Sequence, residues 1–250
     1  MSLNKRLMSS APPPFVASEN FKVVTYTGNG SVGRAVDCGF RPDWIVWKRR
    51  DGSADWSSID TNRTTSFVNY FNSTAAQDGS ANTPYLTITD TGFVTVSNNN
   101  TNINGSGVSY VAYFWKANGG TTSSNTDGDI DSTVQANTDA GFSITTYVTN
   151  GSNSARVGHG LGTTPKIVLI KKLDSSGAWH FMTTQIDGSF DDFIFNDTNT
   201  KADSSLTAPN STTFAAESGS SGTSMICYSF AEVDSFSKFG SYTGNGSANG

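Results

Sequence analysis

A glycine-rich segment after the first apolar stretch is the first candidate for chemistry. Gly28-Asn29-Gly30-Ser31-Val32-Gly33 has the G-x-G-x-x-G spacing of dinucleotide-binding loops. That chemistry needs a helix directly after the loop, because the N–H groups at the helix N-terminus hold the pyrophosphate. Cys38, Gly39 and Pro42 follow almost at once, and the residues between have no helical period. We therefore predict no nucleotide site, and a type I′ hairpin turn at Asn-Gly, in which both central residues have positive φ.

Three alternating acidic residues are the second candidate. Asp127, Asp129 and Asp131 would share one face of an extended segment, and calcium prefers such oxygen ligands. An EF-hand loop also requires Gly at position six and Glu at position twelve, and neither starting register has them. The segment is therefore predicted to be solvated chain without a metal.

Groups for acid–base catalysis are few. His159 lies in Gly-His-Gly, which predicts a turn residue, and His180 is predicted at a strand edge or core rim. Glycoside hydrolysis needs two carboxylates on either side of one bond. Asp191 and Asp192 are adjacent, so on a strand they would point to opposite faces. The three glutamates, Glu19, Glu217 and Glu232, are dispersed, so no catalytic pair can be named.

The organisation of the chain is dominated by a repeat. Phe21–Ser31, with the sequence FKVVTYTGNGS, returns at 142–152 as FSITTYVTNGS and at 239–247 as FGSYTGNGS. The first two copies stay in phase: Pro42 precedes Trp56 by fourteen residues, and Pro165 precedes Trp179 by the same distance. Such a register indicates a duplicated domain. A third copy has only begun at residue 250, so we expect a longer, multi-module protein.

The matched positions of Trp56 and Trp179 bear on their role. Exposed aromatic rings beside Asn and Asp suit carbohydrate stacking, but a position shared by both copies favours core packing. With this last candidate assigned to the core, no catalytic, cofactor-binding or metal-binding residue is predicted, and we expect the chain not to be an enzyme.

Composition restricts the partners. The net charge is −5 and no basic face is concentrated, so nucleic-acid binding is not expected. Two short basic runs, Lys48-Arg49-Arg50 and Lys171-Lys172, end apolar strands and are predicted to be solvated. No apolar stretch is long enough to insert into a membrane. Cys38 and Cys227 are the two cysteines and are predicted to be buried and free.

The strand and turn pattern predicts an all-β chain of antiparallel sandwiches. We divide it into an extended anchoring arm (1–20), a first repeat (21–118), a polar linker (119–139), a second repeat (140–232) and the start of a third (233–250). Whether the arm docks on a partner or is a disordered leader stays open, as does an Ig-like or jelly-roll topology. The apolar runs at 44–47 and 167–170 predict strands that are covered on both faces.

The repeat resembles a known module. Tyr26–Ser31, Gly39–Lys48, Tyr110–Lys116 and Phe230–Gly246 together are similar to a repeat of virion structural proteins of tailed, especially marine, bacteriophages, often described as tail-fibre-like or lectin-like. The resemblance covers nearly everything after residue 20. It implies a concanavalin-like, jelly-roll sandwich in tandem, and it brings no binding residue with it.

The resemblance also implies a function. We expect a tail fibre or appendage of the virion, assembled in the host cytoplasm and anchored through residues 1–20 to other virion proteins. It would be a homotrimer that projects sandwich modules toward the host surface, with a surface glycan as a possible further partner. Two alternatives stay open: a capsid-surface decoration protein, and a carbohydrate-binding or polysaccharide-degrading protein.

Overall fold

The computed structural model describes residues 15–79, 85–96, 100–217 and 220–247. The described chain is all-β and its sheets are antiparallel, as predicted, apart from one short 3₁₀ turn at Ala17–Glu19. Most of the predicted anchoring arm, residues 1–14, lies outside the described residues. Of the remainder of the arm, Phe15 packs edge-to-face on Phe236, with ring centroids 5.0 Å apart.

The described chain contains nineteen strands, and they form two large sheets and two small ones. The strands are β1 (Phe21–Thr27), β2 (Ala35–Asp37), β3 (Trp44–Arg49), β4 (Ser57–Asp60), β5 (Phe67–Tyr70), β6 (Asp78–Gly79), β7 (Leu86–Thr89), β8 (Gly92–Thr95), β9 (Ser109–Trp115), β10 (Ser123–Asn125), β11 (Ser132–Asn137), β12 (Phe142–Val148), β13 (Arg156–Gly158), β14 (Ile167–Lys172), β15 (Trp179–Thr183), β16 (Asp191–Ile194), β17 (Ala202–Asp203), β18 (Thr213–Ala215) and β19 (Ser224–Phe230).

The two large sheets share one strand order. The first runs β1-β9-β3-β4-β5-β6, and the second contains β12-β19-β14-β15-β16-β17 in the corresponding places. The small sheets correspond too, since β2 pairs with β8 and β13 pairs with β18. Each matched pair of strands has the same place in its repeat, which is the relation that a duplication would produce.

The segment 119–139, predicted to be a polar linker, contains two strands instead. β11 pairs along its whole length with β12, and β10 pairs with β11, so the second large sheet has eight strands where the first has six. β11 was not predicted because most of its side chains are polar. Both faces of this strand are covered, since Val134 and Gln135 point to opposite faces and are 2% and 0% exposed.

The apolar strands of the sequence are covered on both faces, as predicted. On β3, Ile45 and Trp47 belong to a core between the first large sheet and its small sheet. Trp44 and Val46 point the other way, into a core shared with the second large sheet. A third core fills the space between the second large sheet and its own small sheet. The molecule is thus a stack of four layers, and the repeats meet face to face.

The shared core is aromatic. Trp44 stacks on Tyr228 of the second repeat with ring centroids 4.2 Å apart, and it also contacts Phe142 at 5.8 Å. Phe71 lies 4.4 Å from Trp179 across the same boundary. Because these rings come from both repeats, each large sheet depends on the other to keep its inner face out of water.

A buried ion pair of the first repeat accepts a hydrogen bond from the second repeat across this boundary. Asp60 accepts hydrogen bonds from the Arg63 guanidinium, and the two side chains are 0% and 8% exposed. Tyr228 of the second repeat donates its hydroxyl to the same Asp60 oxygen at 3.0 Å. Burial alone would lower the pKa of Arg63, but the Asp60 carboxylate outweighs it and raises that pKa. The guanidinium therefore stays charged, and the Tyr228 hydroxyl ties this pair to the second repeat.

The Asn-Gly turns are the same in all three copies, although their type differs from the prediction. Asn29, Asn150 and Asn245 each accept a hydrogen bond from the N–H two residues on, at 3.0, 3.0 and 2.9 Å. The following glycines have φ of 73°, 83° and 72°, while the asparagines keep negative φ. These are Asx turns, not type I′ hairpin turns. In the first two copies the strands before these turns, β1 and β12, pair with distant strands, so the turns close no hairpin.

The start of the third copy has the turn but not the strand. Phe239 packs on Phe230 with centroids 6.4 Å apart, whereas Tyr242 is 94% exposed. In the first two copies the matching strands pair with β9 and β19. Residues 240–247 have no such pairing among the described residues, and residues 248–250 lie outside them.

Cys38 and Cys227 are both buried and free, as predicted. Burial raises the pKa of the Cys227 thiol to about 12, so it is a neutral core group at ordinary pH. No helix in the described ranges has the length and apolar character to cross a membrane.

Candidate functional site

An aromatic cleft opens where the two large sheets separate. It has a volume of about 520 Å³ and its walls are almost entirely apolar. Its walls come from both repeats and include Trp56, Tyr113, Leu169, Phe181 and Phe195, with Phe239 of the third copy at one side. A smaller polar recess of about 390 Å³ adjoins it at Trp56 and Phe195 and adds Asn72 and Asp197.

The two tryptophans at matched positions have different environments. Trp179 is 0% exposed and donates its indole N–H to the Tyr70 carbonyl at 2.9 Å, so it is core as predicted. Trp56 is 37% exposed at the mouth of the cleft, which differs from the prediction that both would be core. The backbone hydrogen bonding is the same at both sites: the backbone N–H of Trp56 donates to the Asn72 side chain, and the backbone N–H of Trp179 donates to the Asn196 side chain. The ring of Trp56 is therefore available to a ligand.

Alanine at these two positions should have unequal effects. We expect Trp179→Ala to lower the free energy of unfolding by about 3–5 kcal/mol, because it empties a closed core and removes the indole hydrogen bond to the Tyr70 carbonyl. Trp56→Ala should cost about 1–2 kcal/mol, because part of its ring is already in water. Urea unfolding followed by circular dichroism measures both. Equal losses would contradict the different burial of the two rings.

A second site lies on the outer face of the second large sheet. His180 on β15 donates a hydrogen bond from Nδ1 to Asp192 Oδ2 on β16 at 2.9 Å. Its Nε2 lies 3.3 Å from Glu217 Oε1, just after β18. All three side chains are about one fifth exposed and border a cavity of about 250 Å³. This cavity is polar in part, since Asn153, Ser204 and Ser205 also line it.

The electrostatics of this site follow from burial and paired charge. Burial alone would lower the pKa of His180, but Asp192 and Glu217 outweigh it and raise that pKa above its ordinary value. Burial raises the pKa of Glu217, against the opposing charges of His180 and Lys172. The two carboxylates flank one imidazole, an arrangement suited to holding a cation or moving a proton.

An acidic group on the neighbouring edge has a cation of its own. Asp187, Asp191 and Asp203 bring carboxylate oxygens within 4.8 Å of one another. The Lys201 ammonium contacts all three, at 2.7 Å from Asp187 and 3.1 Å from Asp203. Its hydrogen bond lowers the pKa of Asp187 and raises that of Lys201 in return. The lysine thus neutralises part of the negative charge of these three carboxylates. Within the described ranges they form the one group of three or more side chains that could hold a metal ion.

Lys171 is buried, contrary to the prediction that its basic run would be solvated. It is 0% exposed, and its ammonium donates to the carbonyls of Thr74, Lys172 and Gly177. Thr74 belongs to the first repeat, so this amine also bridges the repeats. Burial lowers the pKa of Lys171 to about 8, because carbonyl partners do not fully replace water around the charge.

The lowered pKa of Lys171 makes the free energy of unfolding rise with pH. Between pH 8 and 10.5 the unfolded chain keeps the Lys171 proton that the folded chain has lost, so stability rises with pH. From pH 7.5 to 9.5 this group should add about 2 kcal/mol to the free energy of unfolding. Lys171→Met should flatten the rise, and Lys172→Met should leave most of it, because burial lowers the pKa of Lys171 more than the Lys172 charge does. Denaturant midpoints at several pH values measure this, and parallel curves for wild type and Lys171→Met would contradict it.

The other residues singled out from the sequence are structural. His159 is 0% exposed, accepts the Leu161 N–H at Nδ1 and contacts the Asn210 carbonyl through Nε2. Both ring nitrogens are used, and burial lowers the pKa of His159, which is therefore a neutral core group. Asp127 is hydrogen-bonded to Asn125, and Asp129 accepts the Arg156 N–H. After Gly33 the chain enters β2 and no helix follows, as predicted.

Sequence reasoning missed the cluster at His180. Asp192 and Glu217 are 25 positions apart (217 − 192), and only the pairing of β15 with β16 and the position of β18 bring them to one imidazole. The sequence does contain one signal of a site that is specific to the second repeat. Aligning the repeats through Trp56 and Trp179, and through Asn72 and Asn196, sets His180 against Ser57 and Asp192 against Val68.

The fold and sites describe an antiparallel all-β protein of stacked sheets. Residues 16–250 match the family described as a domain of unknown function, DUF7483, and the chain belongs to this family. The match spans both repeats and the segment that follows them. A search of curated proteins and a search of solved structures each found no match.

Proposed function

We propose that this chain is a structural protein of a tailed-bacteriophage particle. Its place would be a tail fibre or similar appendage, with residues 1–20 attached to other virion proteins and the repeats directed toward the host surface. The resemblance of the repeat to virion modules supports this role. An appendage has to hold a position far from its anchor, and that requires stiff joints between its modules.

The observation that carries the proposal is the shared core. Trp44, Phe71 and Tyr228 lie in one aromatic cluster built by both repeats, and Asp60 and Tyr228 add a buried polar bond across it. A joint of this kind does not bend without exposing apolar surface. The predicted linker reinforces it, because β10 and β11 extend the second sheet.

Localisation on purified particles tests the proposal. Gold-labelled antibodies against the first repeat should mark the tail end in electron micrographs. Signal spread over the head would support the capsid-decoration alternative instead, and unlabelled particles would reject a virion role. Light scattering of the purified chain should give a trimer. A stable monomer would remove the homotrimer from the proposal.

A second candidate function is binding of a host surface glycan. The observation that favours it is the exposed ring of Trp56 beside Phe195, which is 52% exposed, with polar side chains in the adjoining recess. Sugar rings stack on such faces through their C–H groups. On a glycan array, Trp56→Ala should abolish any signal that the wild type gives, whereas Tyr242→Ala should not. An array with no signal would reject this candidate, and release of reducing ends from a polysaccharide would favour the degrading alternative.

A further inference from the structure

The cluster at His180 is specific to the second repeat. In the first repeat, Ser57 stands at the position of His180 and Val68 at the position of Asp192. Phe93 matches Phe214 in the small sheets, and three residues further on Val96 stands at the position of Glu217. The fold is therefore built in the first repeat without any of these charges. Removing ionisable groups from water is costly, so two carboxylates and an imidazole in one partly buried site indicate a use beyond folding.

The orientation of the imidazole leaves one nitrogen for a ligand. Asp192 accepts the Nδ1–H, which makes Nε2 the lone-pair nitrogen of the neutral ring. Among the described residues the ring makes its hydrogen bond at Nδ1, while Nε2 faces Glu217 Oε1 at 3.3 Å. This contact is an ion pair when the ring is protonated and leaves two ligand atoms side by side when the ring is neutral. Two atoms bound to one zinc ion at about 2.1 Å lie about 3.0–3.4 Å apart for angles between 90° and tetrahedral. The pair has this spacing.

The surroundings provide room and a further unsatisfied atom. The cavity of about 250 Å³ beside the pair holds several waters or a ligand, and Ser204 and Ser205 line it. Asp192 Oδ1 is buried and has no hydrogen-bond partner among the described residues. A carboxylate that holds the far nitrogen of a metal-binding histidine is a recurring arrangement at zinc sites.

We propose that His180 Nε2 and Glu217 Oε1 bind a divalent transition-metal ion, with Zn²⁺ as the best fit to one imidazole and one carboxylate. Asp192 positions the ring, and water fills the remaining coordination positions from the cavity. The neighbouring group of Asp187, Asp191 and Asp203 is a separate feature, because Lys201 occupies its centre. This inference does not depend on the proposed virion role.

Zinc titration of the full chain by calorimetry in a non-chelating buffer tests the site. Wild type should bind one Zn²⁺, and His180→Ala and Glu217→Gln should each weaken binding at least tenfold. Asp192→Asn should weaken it about 10–100-fold by releasing the ring. Asp187→Asn is the matched control and should bind as wild type does. Circular dichroism confirms that each variant is folded, and Glu217→Gln keeps the shape of the side chain should His180→Ala fail to fold.

Nuclear magnetic resonance of the imidazole nitrogens identifies the ligand directly. Zinc should shift the Nε2 signal of His180 and leave both signals of His159, whose nitrogens are already used. Absence of zinc binding by wild type would overturn the proposal. Unchanged affinity in His180→Ala, or loss of affinity in Asp187→Asn alone, would overturn it as well.

Discussion

Replacing Trp44 with alanine is expected to destabilise both repeats together, by about 3–5 kcal/mol in the free energy of unfolding. Trp44 is 3% exposed and contacts Trp115 of its own repeat at 4.5 Å and Tyr228 of the other at 4.2 Å. The substitution leaves a cavity between two large sheets whose strands cannot close it without losing register. Denaturant unfolding with one spectroscopic probe in each repeat measures the effect.

Both probes should report the same lowered midpoint for Trp44→Ala. Tyr242→Ala is the control, because this ring is 94% exposed, and its midpoint should equal that of wild type. If the midpoint of the first repeat fell while that of the second stayed at the wild-type value, the two repeats would be independent modules.

The Arg63→Met substitution is expected to have an effect of similar size, again about 3–5 kcal/mol. It leaves the Asp60 carboxylate at 0% exposure with Tyr228 as its remaining side-chain partner. An uncompensated buried charge is far more costly than the loss of an exposed pair. Arg49→Met is the matched control, because the Arg49–Asp51 pair is 30% and 38% exposed and should contribute little to stability.

Thermal unfolding of the two variants at neutral pH compares them directly. Equal small losses for Arg63→Met and Arg49→Met would show that the buried pair has no larger role than the surface pair.

Local patterns in the sequence predict most of the strands. β1 and β19 begin and end where apolar alternation and the repeat place them, and Trp44–Trp47 is covered on both faces as its unbroken apolar run indicates. β5 and β6 have no such pattern, because their residues Asn69 and Asp78–Gly79 are typical of turns. Pairing with neighbouring strands overrides such local preferences.

The relation between the repeats could not be predicted in the same way. The apolar run at Trp44 requires a cover on its second face, but it does not say that the other repeat provides it. Trp56 and Trp179 have equivalent sequence positions, and only the packing of the sheets decides that one ring is exposed and the other enclosed. The His180 cluster likewise depends on long-range strand pairing, which one sequence does not reveal.

Differential scanning calorimetry tests most directly whether the two repeats form one folding unit. The shared aromatic core and the Asp60–Tyr228 bond predict one transition, with equal calorimetric and van't Hoff enthalpies for the whole chain. Two separable transitions, each with the enthalpy of about one repeat, would contradict the stacked architecture.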